Sequence, residues 1–116
     1  PTAIFPAPSD ERLAARRFPQ RGGPPRPTPC AELRRFEGGR IALRGWLAAS
    51  RRVHTSDGKW MRFLTLEDES GLAEVVLFPD VYQRDGLHLA EFGPLRVTGK
   101  VENQLGSCTL EAERIW

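Results

Sequence analysis

Cysteine, histidine and methionine are scarce in this chain: two, two and one among 116 residues. Cys30 and Cys108 lie far apart, with no Cys-x-x-Cys spacing and no clustered histidines, so the ligand set of a zinc site is missing. Two ordinary thiols in a reducing compartment fit that pattern, and no metal or cofactor is expected. Long hydrophobic runs are absent too. No stretch approaches the roughly 20 apolar residues that span a bilayer, and the amino terminus lacks the basic-then-apolar plan of a secretory signal. The chain reads as cytoplasmic, with no membrane partner. Catalytic pairings are equally thin, because His54 and His88 are isolated and the serines have no partner base at a recognisable spacing. No catalytic residue is expected. The sequence opens at Pro1 without a methionine, which suggests a piece of a longer polypeptide.

What is present is divided unevenly. Residues 1–40 hold eight arginines against Asp10, Glu11, Glu32 and Glu37, whereas residues 41–116 hold nine Lys or Arg against eleven Asp or Glu. A basic lead-in therefore precedes a mildly acidic body. A protein that grips nucleic acid with its whole surface would be basic throughout, since phosphate neutralisation supplies most non-specific affinity. Binding of that kind must be local or weak here. Eight of the ten prolines fall within the first 29 residues, and proline donates to neither helix nor central strand, so residues 1–39 read as a Pro/Arg-rich linker. Two short helices are expected within it. Ser9 would cap one that ends at Arg16 and Arg17; Thr28 would cap another, with Pro29 at its first position and Leu33 and Phe36 on one side. Arg17, Arg21 and Arg26, with Gly22-Gly23-Pro24-Pro25, form a basic strip, either a solvated linker or a phosphate contact.

From Arg40 onward strand signals follow closely, and residues 40–116 read as one small domain. Such a domain buries only about 60% of the surface its unfolded chain exposes, so it folds with little margin. Ile41, Leu43, Gly45, Leu47 and Ala49 alternate in a first strand that runs through Val53 and is long enough to bend at Gly45. A hairpin turn follows at His54–Lys59, where Asp57-Gly58 suits a tight reversal. Strand two spans Trp60–Asp68 and strand three Leu72–Phe78. Between them Glu69-Ser70-Gly71 supplies the turn, Gly71 accepting positive φ and Ser70 bonding its own backbone. Pro79–Asp85 reads as a short helix closed by Gly86. Leu95–Val101 and Cys108–Glu113 are strands four and five, with a polar turn at Glu102–Gly106. Three strands, a short helix and two strands is the plan of an OB-fold, an all-β, five-stranded Greek-key barrel. A six-stranded barrel or a sandwich stays open, although the single helix between Phe78 and Leu95 argues against both.

The run Met61–Tyr82, with Val97-Thr98-Gly99-Lys100-Val101-Glu102 and Thr109-Leu110-Glu111-Ala112-Glu113-Arg114, resembles the OB domain near the C-terminus of bacterial DNA polymerase III α subunits. The resemblance covers roughly residues 38–116 and extends to the Ala31-Glu32-Leu33 segment. A less specific similarity joins it to the wider anticodon-binding OB group through the Phe-Leu-x-Leu-x-Asp then Gly pattern at Phe63–Gly71. It implies a non-catalytic segment of a family C polymerase, replicative or error-prone, that contacts single-stranded template DNA. Partners would be that strand, other domains of the polymerase and replisome proteins.

The residues make such a site concrete. Single-strand binders pair aromatic rings, on which bases stack, with basic groups that follow the phosphates. Parity places Phe63, Thr65 and Glu67 opposite the core residues Leu64 and Leu66. Phe63 is the leading stacking candidate, and the resemblance points to the same ring; the alternative is that it packs under a loop or a neighbouring domain. Trp46 shares a face with Arg44 and either extends the platform or fills the barrel rim. Trp60 either clasps nucleic acid or caps the barrel. Arg51, Arg52, His54, Lys59 and Arg62 gather at the first hairpin, as a phosphate cluster or as a solvated tip. The other flanking loop, Asn103-Gln104-Leu105-Gly106, offers only amide contacts. Glu67 and Glu74 would repel phosphate from the same face. A protein-docking OB module with little nucleic-acid binding is therefore the competing expectation.

Overall fold

The computed structural model describes residues 26–91, 93–104 and 106–116, together with the backbone of Ile4–Phe5 (β1). The expected helix at Ser9–Arg17 and the basic strip from Arg17 to Pro25 lie outside the described residues. The architecture is organised by β2 (Arg40–Thr55), 16 residues long. Its first part, Arg40 to Gly45, pairs antiparallel with β5 (Leu95–Gln104). From Trp46 to His54 it pairs instead with β3 (Trp60–Asp68). The partner changes at Gly45, where a Cβ would lie 2.8 Å from the Glu67 carbonyl oxygen. Any side chain there would collide with the neighbouring strand, so the bend depends on glycine.

β3 runs antiparallel into β4 (Gly71–Leu77), and β4 pairs in parallel with β6 (Ser107–Ile115), which lies antiparallel to β5. The order β2-β3-β4-β6-β5 returns to β2 and closes a five-stranded barrel with OB-fold topology. Closure leaves no free edge among these five strands. Helix α1 (Pro79–Asp85) lies between the third and fourth barrel strands, and β1 joins the end of β2 in parallel at His54 and Thr55. Among the described residues no helix is long and apolar enough to cross a membrane. Leu43, Leu64, Leu66, Val75, Leu77, Val97, Val101 and Leu110 fill the interior. The parity expected for Leu64 and Leu66 is the one observed.

Several local expectations are corrected. Gly86 does end α1, but in a right-handed conformation that leads into a 3-10 turn over Gly86–Ala90. β5 continues through Gln104 because Asn103 and Gln104 pair with Cys108 and Ser107, which confines the turn to the residues between Gln104 and Ser107. Thr28 caps no helix. Its N–H donates to the Ala42 carbonyl at 2.7 Å, and the helix is a 3-10 segment, Cys30–Phe36, without a side-chain cap from its own leading residue. Cys30 and Leu33 enter the main core, whereas Phe36, the last residue of the segment, stays exposed.

The cap comes instead from the acidic turn after β3. Asp68 Oδ2 accepts the Cys30 N–H at 2.9 Å, while Oδ1 accepts the Ser70 N–H at 2.8 Å and its hydroxyl at 2.6 Å. Ser70 Oγ accepts the Ala31 N–H at 3.0 Å, so it bonds the incoming helix rather than its own backbone. The free donors of the helix start are thus satisfied by a turn nearly forty residues away. Burial opposes the charge on Asp68, but these hydrogen bonds prevail and hold its carboxyl at about 2. Burial, then the bond to Asp68, pushes the Cys30 thiol up to about 12. At the other side of the barrel Arg84 forks onto the Asp85 carboxylate at 2.9 Å through both nitrogens and donates to the Glu113 carbonyl oxygen. Asp85 also accepts the Ile115 N–H at 2.9 Å, tying α1 to the last strand.

Two predictions follow from these contacts. Asp68→Asn is expected to cost about 1–2 kcal/mol at neutral pH, the value of a lost cap. Because its folded pKa lies below the ordinary 3.8, the carboxylate's contribution is complete above pH ~4 and is lost as pH falls towards ~2. Urea-unfolding stabilities of parent and variant should converge across that window, and parallel curves would contradict the cap. Separately, a Cβ on Gly99 would sit 2.0 Å from the Glu111 carbonyl oxygen, whereas Gly58, at φ +83, has open space. Gly99→Ala should cost about 3 kcal/mol from backbone collision, and Gly58→Ala only about 1–2 kcal/mol from the left-handed conformation. Equal losses would refute the distinction.

Candidate nucleic-acid interface

Alternation in β2 fails at a bulge between Leu47 and Ala49, and the failure decides which residues meet. Before it, even-numbered Arg44 and Trp46 point outward; after it, odd-numbered Ala49 and Arg51 do. Ala49 is accordingly exposed, not a continuation of the core alternation. Three outward rows result on β2, β3 and β4: Trp46–Glu67–Leu72, Ala49–Thr65–Glu74 and Arg51–Phe63–Val76. Neighbouring rows are about 7 Å apart, two residues along a strand.

Phe63 is half-buried. It packs against an outward cluster of Val53, Met61, Val76 and Phe78, and the Arg51 guanidinium lies 5.1 Å from its ring centroid. One ring therefore serves packing and carries a cation. Trp46 is 58% exposed. It lines a groove of about 380 Å³ with Arg44, Glu67, Glu69 and Pro94. Thr65 donates to Glu74 Oε1 at 3.0 Å, so that carboxylate is held on the face.

The basic cluster expected at the first hairpin is split. Adjacent residues of a strand face opposite ways, so Arg51 joins Phe63 while Arg52 joins Arg62 and Trp60 on the reverse of the ribbon. There the Arg52 guanidinium lies 4.5 Å from the Trp60 centroid, and the His54 ring lies 3.6 Å from it at a tilt of 38°. Arg62 bonds Ser50 Oγ at 2.6 Å and Tyr82 Oη at 3.3 Å, and it sits over the Tyr82 ring. Lys59 stands at the tip, 3.9 Å from Asp57. The hairpin closes as Thr55 to Lys59, with the Thr55 N–H on the Lys59 carbonyl at 2.8 Å and Gly58 at positive φ. Tyr82 and Gln83, which the sequence reading did not single out, come to this side because α1 packs against β3. The second flanking loop is already engaged: Asn103 Nδ2 donates to Glu37 Oε1 at 2.7 Å and its Oδ1 accepts the Gly106 N–H at 3.1 Å. Among the described residues no group of three or more His, Cys, Asp or Glu could hold a metal ion.

Residues 41–116 match the model of the OB-fold nucleic acid binding domain of the tRNA anticodon type. Curated relatives include the error-prone DNA polymerases of Bdellovibrio bacteriovorus, 34% identical over 66% of this chain and 7% of that one, and of Mycolicibacterium paratuberculosis, 38% identical over 68% and 7%. The chain thus spans only a small part of their length. Among solved structures, the asparaginyl-tRNA synthetase of Pyrococcus horikoshii superposes with a TM-score of 0.63 at 22% identity, over 78% of this chain and 22% of that one. An OBody bound to hen egg-white lysozyme gives 0.64 at 19% identity, over 82% and 94%. At such identities these two establish the fold.

The pairing of Arg51 with Phe63 is open to measurement. A double-mutant cycle on Arg51→Ala and Phe63→Leu, read by urea unfolding, should give a coupling of about 0.5–1 kcal/mol, the range for an exposed cation–π contact. A coupling indistinguishable from zero would mean that the guanidinium is not held on the ring.

Proposed function

Since this chain belongs to the OB-fold nucleic acid binding domain family, we propose that it is a non-catalytic, single-stranded DNA-binding module of a bacterial family C polymerase. The relatives' names favour an error-prone parent. The reading places the module in the cytoplasm, on template near a polymerase centre carried by other domains. The observation that carries it is the Arg51–Phe63 row, where an aromatic face and a cation stand together on the barrel exterior. A base stacked on such a ring is worth about 1–3 kcal/mol, and a nearby guanidinium adds a phosphate contact. Arg44 and Trp46 extend the same face by two rows.

The carboxylates set the limit. Glu74 and Glu67 occupy the two rows next to the Phe63 row, so a strand laid along β3 meets both signs of charge. Affinity on this surface is weak and positioned. A second reading is favoured by the outermost row, where Trp46 and Leu72, 58% and 59% exposed, flank Glu67. Two apolar side chains around one carboxylate suit a protein neighbour, either another polymerase domain or a replisome protein, better than they suit a phosphate backbone.

Fluorescence anisotropy with a labelled oligothymidylate tests both. At low salt Phe63→Ala should weaken binding about 5- to 150-fold, from the stacking energy, and Arg51→Ala should reduce the salt slope by about 0.7, one phosphate's worth. Glu67→Gln combined with Glu74→Gln should tighten it. A parent chain that binds no single strand at low salt contradicts the nucleic-acid reading and leaves the docking one.

A further inference from the structure

The reverse of the β2–β3 ribbon carries a second aromatic and basic surface, distinct from the Phe63 row. Between the hairpin and α1 lies a groove of about 380 Å³ lined by Lys59, Trp60, Pro79, Tyr82 and Gln83. That volume is within the range of about 300–1,000 Å³ typical of sites for small organic groups. Among the described residues its walls are two aromatic side chains and a proline, and the Gln83 amide offers both a donor and an acceptor. Trp60 is 40% exposed in spite of its contacts with His54 and Arg52. Arg62 anchors the Tyr82 hydroxyl and so fixes that wall.

Charge identifies the occupant. Among the described residues no carboxylate lines this groove, whereas the Trp46 groove contains Glu67, Asp68 and Glu69. Lys59 lines it and the Arg52 guanidinium lies over the Trp60 ring; Lys59 has Asp57 at 3.9 Å, and Asp80 follows Pro79 in α1. A flat apolar slot with a cationic rim combines the two chemistries that a nucleotide joins, a π-face and an anion. We propose that this groove takes one unpaired base of the DNA single strand against Trp60 and Tyr82, with its phosphate on Lys59 and Arg52. The strand then passes around the hairpin from the Phe63 face to the reverse face. The inference rests on the single-strand reading but not on Phe63.

An oligothymidylate carrying 5-iodo-deoxyuridine, irradiated with the full 116-residue chain and mapped by peptide mass spectrometry, is expected to form adducts at Trp60 or Tyr82. Adducts confined to Trp46 and Phe63 would overturn the groove and leave the exterior site standing. A charge swap at the exposed Gln83 gives a second readout that spares the fold. Gln83→Glu should weaken oligothymidylate binding about three- to tenfold and Gln83→Lys should strengthen it, with unchanged melting temperatures, because a single charge beside a phosphate acts over this range. The same shifts should appear in a chain carrying Phe63→Ala. If the parent binds and neither swap moves its affinity, the groove is wrong and the single-strand reading survives; if the parent does not bind, both fall. Equal competition by an oligoglutamate peptide of matching charge would show an anionic protein segment as the occupant and overturn the base site.

Discussion

One strand has to serve two partners, and the rest of this molecule follows from how it does so. β2 leaves β5 for β3 at Gly45, where the Glu67 backbone comes too close for any side chain, and bulges between Leu47 and Ala49. The first feature permits closure of the barrel; the second re-phases the strand. Were the register to continue unshifted, Ser50 would stand opposite Phe63, Arg51 would face the reverse side opposite Arg62, and Arg52 would lie opposite Met61. The bulge therefore decides which of the two arginines shares the Phe63 face, and it links barrel geometry to surface chemistry.

The barrel was readable because its signals are local. Alternating Leu64 and Leu66, the Asp57-Gly58 turn, and Pro79 at the head of a short helix each depend on neighbours in sequence, and strand order then selects the topology. The site was readable in composition but not in arrangement. Arg51 and Arg52 are adjacent, so strand parity alone sends them to opposite faces, and closeness in sequence does not make them one cluster. The bulge, by contrast, has no local signature in Leu47-Ala48-Ala49. Tyr82 and Gln83 were invisible because α1 reaches the hairpin only through the closed fold. The helix cap escapes for a similar reason: Thr28-Pro29 carries the cap and first-position signals of a start, yet the Thr28 N–H donates to the Ala42 carbonyl and the acceptor comes from Asp68.

That cap also changes how the acidic turn is valued. Asp68 lies in an acidic stretch between Glu67 and Glu69. In the fold Asp68 is turned inward on Cys30, Ser70 and Gly71, and its charge is spent on backbone N–H groups. It closes the barrel's end by holding the 3-10 helix whose Leu33 completes the core. The repulsion that remains is that of Glu67, Glu69 and Glu74. These lie towards Trp46 and Leu72, so the exterior is graded from basic and aromatic at the hairpin to acidic and apolar at the opposite end.

On the single-strand reading, a graded face of this kind suits a module carried by a larger polymerase, which never has to find its ligand alone. The chain corresponds to about 7% of each polymerase it resembles, and a tethered site works at the effective concentration its linker sets, which reaches millimolar for short flexible connections. At that concentration a contact worth one stacked base and a few phosphates is already occupied much of the time. Stronger binding would slow release as a polymerase advances, because affinity differences among related complexes reside mostly in dissociation. On the single-strand reading, the carboxylates beside Phe63 are then not a defect in a binding site. They hold the contact in the range where a strand is positioned and still let go.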